Sequence, residues 1–341
     1  MTERQYGLLL PHFGEHASPE ALVAGARLAE RLGFDSVWVR DHLIFHPHGM
    51  EGQDRTHLDP LVVLSWVGAS TERLILGTGS LIPHRHPIQL AGALASLSAL
   101  AGGRVIVGMG LGSFDHEFEA IGLGEADRGE LMAEQIAIVR RLWTGQPVTH
   151  EGKHYRFADV DIHPSPRGHI PFWYCGGSLA AVRRAVEMCE GYMPGRITLK
   201  TFARNVRRMR RLAGEQGKPV PTAAAIPITS PGRTREDALS KVNLAGFLEE
   251  ANRHGRWIPP ASGKFETADD LEGALIAGPP SSIAEVAEGY HAAGCEHLVF
   301  DLRFRFDEWL ECVQLLGEEV LPLLRRSPVA GASLGASGGG A

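Results

Sequence analysis

The sequence predicts an α/β fold, a (β/α)8 TIM barrel with insertions. Short apolar runs alternate with longer amphipathic runs about eight times along the 341 residues, which is the rhythm of strand–helix units. Strand-length runs such as VWV, LILG and VIVG are apolar throughout, as is typical of parallel strands covered on both faces. A doubly wound open sheet is the alternative fold with the same rhythm.

The first half of the chain shows the alternation most clearly. Apolar residues recur at helical spacing over 19–33, and Gly33 marks the end of that helix. The predicted elements up to residue 145 are strand 6–10, helix 19–33, strand 36–39, helix 59–71, strand 73–79, helix 86–102, strand 104–110 and helix 128–145.

The second half continues the pattern with two interruptions. The predicted elements are strand 171–177, helix 178–189, a weak strand 191–195, helix 199–216, strand 220–228, helix 234–250, helix 282–294, strand 297–302 and helix 307–325. No change in composition marks a domain boundary, so we expect one barrel domain over 1–326 with insertions near 145–170 and 250–278. The Gly/Ala/Ser-rich stretch 327–341 is predicted to be disordered.

Composition excludes several classes of protein. The net charge of −6 leaves no basic surplus for binding nucleic acid or an anionic membrane. No apolar run reaches the ~18 residues of a membrane span, and the N-terminus lacks the long apolar region and cleavage site of a signal peptide. The four cysteines are widely spaced without a CxxC motif, which predicts free thiols in a cytoplasmic protein.

In a barrel, active sites lie where strands end at the C-terminal face, so the residues just after each strand are the functional candidates. Asp41 and His42 follow the second strand. A carboxylate beside a histidine can orient it and favour its protonated form. Neighbouring residues of a strand point in opposite directions, however, so a loop cap by Asp41 and a surface His42 remain an alternative.

A metal site at His42, His46 and His48 is not expected. Pro47 and Gly49 indicate a loop, and the chain has no HExxH motif.

Two glycine-containing turns favour a bound cofactor. The run GMGLGS (108–113) lacks the third glycine of a dinucleotide fingerprint and instead favours close approach to a flat ligand. In CGGSLAAVRRA (175–185), Ser178 is placed to cap a helix whose N-terminus would favour a phosphate. A plain capped turn is the alternative at this position. The residues alone therefore indicate a glycine-lined mouth with a histidine, suited to a phosphate-bearing cofactor.

Five motifs in order resemble the bacterial-luciferase-like superfamily of flavin- or deazaflavin-dependent oxidoreductases, over about 6–325. They are AERLGFDSVWVRDHL (29–43), the run from LILGTGS to HEFEAIGL (74–123), LWTGQPVTHEGKHY (142–155), IPFWYCGGS (170–178) and AGPPSSIAEVAEGYHAAGCEHLVF (277–300). The resemblance implies a (β/α)8 barrel whose cofactor lies across the C-terminal mouth.

The resemblance also implies roles for individual residues. His42 would face the cofactor ring and handle protons, with Asp41 beside it. A bulge behind the ring would include a non-prolyl cis peptide, for which Gly79–Ser80 is the candidate. The implied cofactor-binding residues are Thr78, Gly79 and Ser80 behind the ring, Gly110, Gly112 and Ser113 against the ring or tail, and Gly176, Gly177 and Ser178 at the phosphate.

Two mechanisms and one non-catalytic alternative remain open from the sequence. The compact chain and the run HPIQLAGALASLSALAGGRVIVG favour hydride transfer with the deazaflavin coenzyme F420. The alternative is a monooxygenase that uses reduced FMN and oxygen and needs a partner flavin reductase. A non-catalytic flavin-binding protein is the third reading. The resemblance also implies a possible homodimer, with no nucleic-acid or membrane partner.

One departure from the family pattern bears on the mechanism. Ser113 stands where some deazaflavin dehydrogenases carry an acidic Glu, and His116 or Glu117 could replace it. The substrate pocket is predicted only weakly, from aromatic residues that could equally belong to the core: His12, Phe13 and Trp173, together with Tyr174 and Trp257.

Overall fold

The computed structural model describes residues 4–253 and 255–326. Eight parallel strands close into a barrel in the order β1-β12-β9-β8-β7-β4-β3-β2, which confirms the predicted fold class. The twelve strands are β1 (Gln5–Leu9), β2 (Ser36–Val39), β3 (Ile75–Leu81), β4 (Val105–Met109), β5 (Val148–Glu151), β6 (Arg156–Val160), β7 (Phe172–Tyr174), β8 (Gly191–Tyr192), β9 (Thr222–Ala225), β10 (Ile228–Pro231), β11 (Leu275–Gly278) and β12 (His297–Phe300).

Helices surround the barrel and connect its strands. They are α1 (Pro19–Leu32), α2 (Pro60–Gly68), α3 (Pro87–Leu100), α4 (Asp115–Glu119), α5 (Arg128–Leu142), α6 (Leu179–Met188), α7 (Leu199–Glu215), α8 (Arg235–Ser240), α9 (Leu244–Arg253), α10 (Pro280–Ala292), α11 (Trp309–Leu315) and α12 (Leu321–Arg326). Short 3-10 turns cover Asp269–Leu271 and Arg303–Glu308, and a π-helical turn over Leu316–Val320 joins α11 to α12.

Helix ends follow the local sequence signals. The Ser18 hydroxyl accepts a hydrogen bond from the Ala21 N–H at the start of α1, which satisfies one of the free N–H groups there. Gly33 closes the same helix with φ of 86°, a conformation that glycine adopts without steric cost.

Two tryptophans fill the centre of the barrel. The ring of Trp38 lies 5.4 Å from that of Trp173 and 5.4 Å from that of His297, measured between centroids. Gly77 makes this packing possible, because a Cβ there would lie 2.4 Å from the Trp38 ring. Trp173 is therefore a core residue, and its predicted place in a substrate pocket is wrong.

Both predicted insertions form structure outside the barrel sheet. The segment 145–170 holds β5 and β6, which pair as an antiparallel hairpin. The segment 250–278 contributes Phe265 and Leu271 to a small second core that packs on α9 through Phe247. The single-domain boundary remains a prediction, and 327–341 lies outside the described residues.

The predicted strand over 220–228 is two strands instead of one. After β9 the chain leaves the barrel at Pro227, which has no N–H for a sheet hydrogen bond, and β10 pairs with β11 in a separate sheet. Sequence reasoning missed β11 because Leu275–Gly278 falls within 250–278, which the sequence predicts to be an insertion without a strand.

Three further predictions concern properties of the whole chain. The four cysteines are free, as expected for thiols, while the compartment remains a prediction. None of the described helices is both long and apolar enough to cross a membrane. Within residues 4–253 and 255–326 no cluster of three or more His, Cys, Asp or Glu side chains could hold a metal.

Candidate active site

A cleft of about 670 Å³ opens at the C-terminal ends of the barrel strands. One side of it consists of the last residues of β3 and the turns after β4 and β7, three strands that are neighbours in the barrel. The predicted cofactor-binding residues that line this side are Gly79, Ser80, Gly110, Gly112, Ser113, Gly176, Gly177 and Ser178. Thr78 lies one layer below them, fully buried, and donates its hydroxyl to the carbonyl of Gly108 at 3.0 Å.

The glycines give this side a bare backbone surface. A Cβ on Gly110 would lie 2.3 Å from the Ser80 hydroxyl, and Gly112 has a φ of 75°. The Gly79–Ser80 peptide bond is cis, as the resemblance implied. The expected bulge is also present, because the register of β3 on β4 shifts between Thr78 and Leu81. A flat ring can therefore approach the main chain closely here.

The start of α6 offers a seat for an anion. Ser178 is the N-cap of this ten-residue helix, and its hydroxyl accepts a hydrogen bond from the Ala181 N–H at 3.1 Å. The Asn205 amide donates to the Gly177 carbonyl at 3.0 Å and fixes the turn from the side of α7. N–H groups and the positive end of the helix dipole thus meet at the cleft, which is the arrangement that binds phosphate in many proteins.

His42 lies in the cleft with 8% of its side chain exposed. Its Nδ1 is 3.3 Å from Oε2 of Glu117, a fully buried residue of α4. The other carboxylate oxygen of Glu117 accepts the N–H groups of Leu43 at 2.6 Å and Ile44 at 3.1 Å. Glu117 was only one of two sequence candidates for an acid, and the structure makes it the direct partner of His42.

The protonation of this pair follows from its contacts. Burial would raise the pKa of Glu117, but the hydrogen bond and charge of His42 and the two backbone N–H groups hold that pKa below its usual range. An ionised carboxylate only accepts hydrogen bonds, so Nδ1 of His42 carries the proton facing Glu117. Nε2 is then the ring nitrogen that Glu117 does not hold.

Asp41 also lines the cleft, but its carboxylate is held by partners other than His42, so a catalytic role beside His42 remains a prediction. Its carboxylate forms an ion pair with Arg85, including a contact of 3.1 Å from Nη2 to Oδ1, and accepts the Ile82 N–H at 3.0 Å. Consecutive residues point in opposite directions at the end of a strand. Asp41 therefore holds the loop after β3, while His42 faces Glu117.

His12 and Phe13 are not among the residues that line this cleft. The Nε2 atom of His12 accepts the Arg40 N–H at 3.0 Å, its Nδ1 faces the Leu10 carbonyl at 2.8 Å, and burial lowers its pKa to about 3. Phe13 lies under the Arg40 guanidinium, 3.5 Å from ring centroid to Cζ. Both residues support the cleft wall from behind, whereas Tyr174 and Trp257 line the cleft.

A wall of paired charges on the other side of the cleft was missed by sequence reasoning. Arg40 follows β2 and Asp301 follows β12, so the rule applied to the other strand ends could have found both. Their partners could not be found in this way, because Glu51 and Arg303, which are 2.6 Å apart, are separated by 252 positions. The wall comprises Arg40, Arg196, Glu250, Asp301 and Arg303, and Glu51, which is not among the lining residues, pairs with Arg40 and Arg303.

Comparison with known proteins places this site in a family. The family model for luciferase-like monooxygenases matches residues 5–297. A curated relative from Microbacterium testaceum, named as an F420-dependent glucose-6-phosphate dehydrogenase, is 30% identical over 92% of this chain and 95% of its own.

Solved structures of an F420-dependent enzyme and of an FMN-binding enzyme share the fold. An F420-dependent secondary alcohol dehydrogenase, solved with an F420–acetone adduct, superposes with a TM-score of 0.77 at 19% identity, covering 95% of this chain and 99% of its own. The oxygenating constituent of 3,6-diketocamphane monooxygenase from Pseudomonas putida, solved with FMN, superposes equally well at 0.77 and 18% identity, covering 94% of this chain and 98% of its own.

Proposed function

The chain belongs to the luciferase-like monooxygenase family, and from that premise we propose that it is an oxidoreductase that uses coenzyme F420 for hydride transfer to or from a small organic substrate. The observation that carries the proposal is the His42–Glu117 pair beside the glycine side of the cleft. Support for the deazaflavin comes from curated relatives named as F420-dependent that match more than nine-tenths of the chain.

The residues of the cleft fit the proposed cofactor. The end of β3 and the turn after β4 would lie against the flat ring system, since their glycines leave the main chain bare. Ser178 and the N-terminus of α6 would hold the phosphate. When bound, the deazaflavin supplies a ring carbon that donates or accepts a hydride.

His42 would move the proton that accompanies the hydride. Glu117 accepts from Nδ1 and so orients the ring, which leaves Nε2 to give a proton to the substrate oxygen during reduction or to take it during oxidation. A buried carboxylate also stabilises the imidazolium while His42 holds that proton. Ser113 has no ionisable group, so it would contact the cofactor and take no part in proton transfer.

The alternative is an FMN- and oxygen-dependent monooxygenase supplied by a flavin reductase. The FMN-bound structural relative shares the barrel that carries the site. The same bare glycine surface would accept either ring system. The cofactor itself therefore separates the two proposals.

Fluorescence titration of the purified protein with F420 and, separately, with FMN tests the proposal. We expect micromolar binding of F420 and at least about tenfold weaker binding of FMN, a difference of about 1.4 kcal/mol. Tight FMN binding with weak F420 binding would refute hydride transfer from the deazaflavin. A matched control is Gly214→Ala, because Gly214 lies on α7 outside the cleft lining, has nothing within 4 Å of its Cβ position and should leave both affinities unchanged.

We further propose a homodimer formed through α2 and α3. Neither helix contains a charged residue, and Val62, Trp66 and Leu100 are 68%, 57% and 83% exposed. Exposed apolar side chains on uncharged helices are typical of a subunit contact. Sedimentation of Trp66→Glu should give a monomer and of the wild type a dimer, while Val220→Glu, exposed elsewhere, should behave like the wild type.

A further inference from the structure

One buried amide reaches the glycine side of the cleft from behind. Asn205 of α7 is fully buried, and its Nδ2 donates to the Gly177 carbonyl at 3.0 Å and to the Tyr192 hydroxyl at 2.9 Å. Its Oδ1 accepts a hydrogen bond from Nε of Arg204 at 3.1 Å. A guanidinium only donates and a carbonyl only accepts, so these partners fix which end of the amide faces which group.

Asn205 occupies a position in α7 where an apolar residue would satisfy packing. The other buried residues of this part of the helix include Phe202, Val206 and Met209. Removing an amide from water costs free energy unless its donors and its acceptor are bonded in the protein. The hydrogen bonds of Asn205 therefore account for an amide at this position, and one of them ends at Gly177, which lines the cleft.

The carbonyl that Asn205 holds belongs to the peptide bond that leads into α6. This bond between Gly177 and Ser178 is trans, and in a planar trans peptide the C=O and N–H groups point in opposite directions. The Ser178 N–H therefore points away from Asn205 and from α7. Gly177 and Ser178 line the cleft, whereas none of residues 199–215 does. The amide on one side of the peptide thus directs the N–H to the side on which the cleft lies.

The barrel holds Asn205 in this orientation. Tyr192 ends β8, which pairs with β7, the strand that the Gly177 turn follows. Burial raises the pKa of Tyr192, so its hydroxyl stays neutral while it accepts the second N–H of Asn205. At the other end of the turn, the Ser178 hydroxyl accepts the Ala181 N–H. Contacts within the protein alone therefore hold the turn in one conformation.

We propose, on the basis of the function proposed above, that Asn205 is a positioning residue for the phosphate of the cofactor. By holding the Gly177 carbonyl away from the cleft, it presents the Ser178 N–H to the anion. Glycine turns easily, so without the amide this peptide could reverse and direct its carbonyl dipole at the phosphate. A donor that is already oriented binds an anion more tightly than one that must first be reoriented. Asn205 acts through this peptide and not by direct contact.

Fluorescence titration of Asn205→Leu with two ligands tests the inference. Leucine has a similar volume but cannot donate, so F420 should bind at least about tenfold more weakly than to the wild type. A deazaflavin without the phosphate should bind to the two proteins with affinities within about threefold of each other, because the change is confined to the phosphate site. An equal loss for both ligands would reveal a merely structural role and overturn the inference, as would no loss for F420. Failure of the proposed function would be seen separately, as absence of F420 binding by the wild type.

Two further variants make the test specific. Tyr192→Phe removes only the hydroxyl that accepts the second N–H of Asn205, and it decides the question if Asn205→Leu does not fold. F420 should then bind at least about threefold more weakly than to the wild type while the phosphate-free deazaflavin binds equally, and an unchanged affinity for F420 would overturn the inference. Asn252→Leu is the control, because Asn252 donates to the Phe265 carbonyl at 2.9 Å outside the cleft lining and should leave both affinities as in the wild type.

Discussion

His297→Gln should make the protein less sensitive to acid, by an amount that the structure specifies. His297 is fully buried between Trp38 and Trp173, and burial lowers its pKa to about 3. Its Nε2 contacts the Ser36 hydroxyl at 2.6 Å. Glutamine can place an amide near the same hydroxyl but does not titrate.

The sign and size follow from the two pKa values of the histidine. The unfolded chain binds the proton near pH 6.5 and the folded chain only near pH 3, so stability is complete above 6.5 and is lost as the pH falls between them. Between pH 7.5 and 5.5 this single residue should cost about 1.4 kcal/mol of unfolding free energy. His297→Gln should lack that loss.

Urea unfolding of both proteins at pH 7.5 and 5.5 measures the difference. The comparison uses only the change of unfolding free energy with pH within each protein, so a lower stability of the variant at pH 7.5 does not affect it. His163→Gln is the control, since this histidine is 69% exposed and should leave the pH dependence as in the wild type. An equal loss in His297→Gln and the wild type would show that His297 is not held neutral by burial.

Three further predictions concern the site and the core. Glu117→Gln should lower kcat by about 100-fold or more with any accepted substrate, because Glu117 contacts His42. The F420 dissociation constant of this variant should change less than about threefold, because Glu117 does not contact the cofactor side. As a control, Ser113→Ala should leave kcat within about threefold of the wild type. In the same fluorescence titration, a deazaflavin without the phosphate should bind about 100-fold more weakly than F420, since hydrogen bonds to a charged group contribute about 1.5–3 kcal/mol each. Equal affinities would exclude the N-terminus of α6 as the phosphate site. Gly77→Ala should lower the free energy of unfolding, measured in urea, by about 1–3 kcal/mol or more, because the new Cβ would clash with the Trp38 ring. Gly92→Ala is the control and should not be destabilised, because nothing lies within 4 Å of its Cβ position.

The barrel could be predicted because each of its parts has a local signal. Apolar strand runs, helical periodicity and the turns after strands are properties of neighbouring residues, and Ser178 illustrates this as a cap read directly from the sequence. The glycines after β3, β4 and β7 are likewise read from position, and all of them line the cleft.

The pairing of charges could not be predicted, because it depends on which loops meet in space. Asp41 precedes His42 in the chain yet binds Arg85, while Glu117, 75 positions away, contacts the imidazole. The positions of the aromatic residues could not be predicted for a different reason. Nothing in the sequence tells a tryptophan at the centre of a barrel from one at its mouth, so Trp173 could not be separated from Trp257.

The double attachment of Glu117 has a consequence for how this barrel can change. One carboxylate ties the imidazole and the main chain after β2 to α4, the helix that directly follows the glycine turn of β4. The group proposed for proton transfer and the surface proposed for the cofactor are thus held together by the same carboxylate. The loops after β8 and β12 lie outside that attachment. Substitutions in those loops can therefore change which substrate binds without moving His42 relative to the glycine surface, so the same arrangement of His42 and Glu117 can serve different substrates.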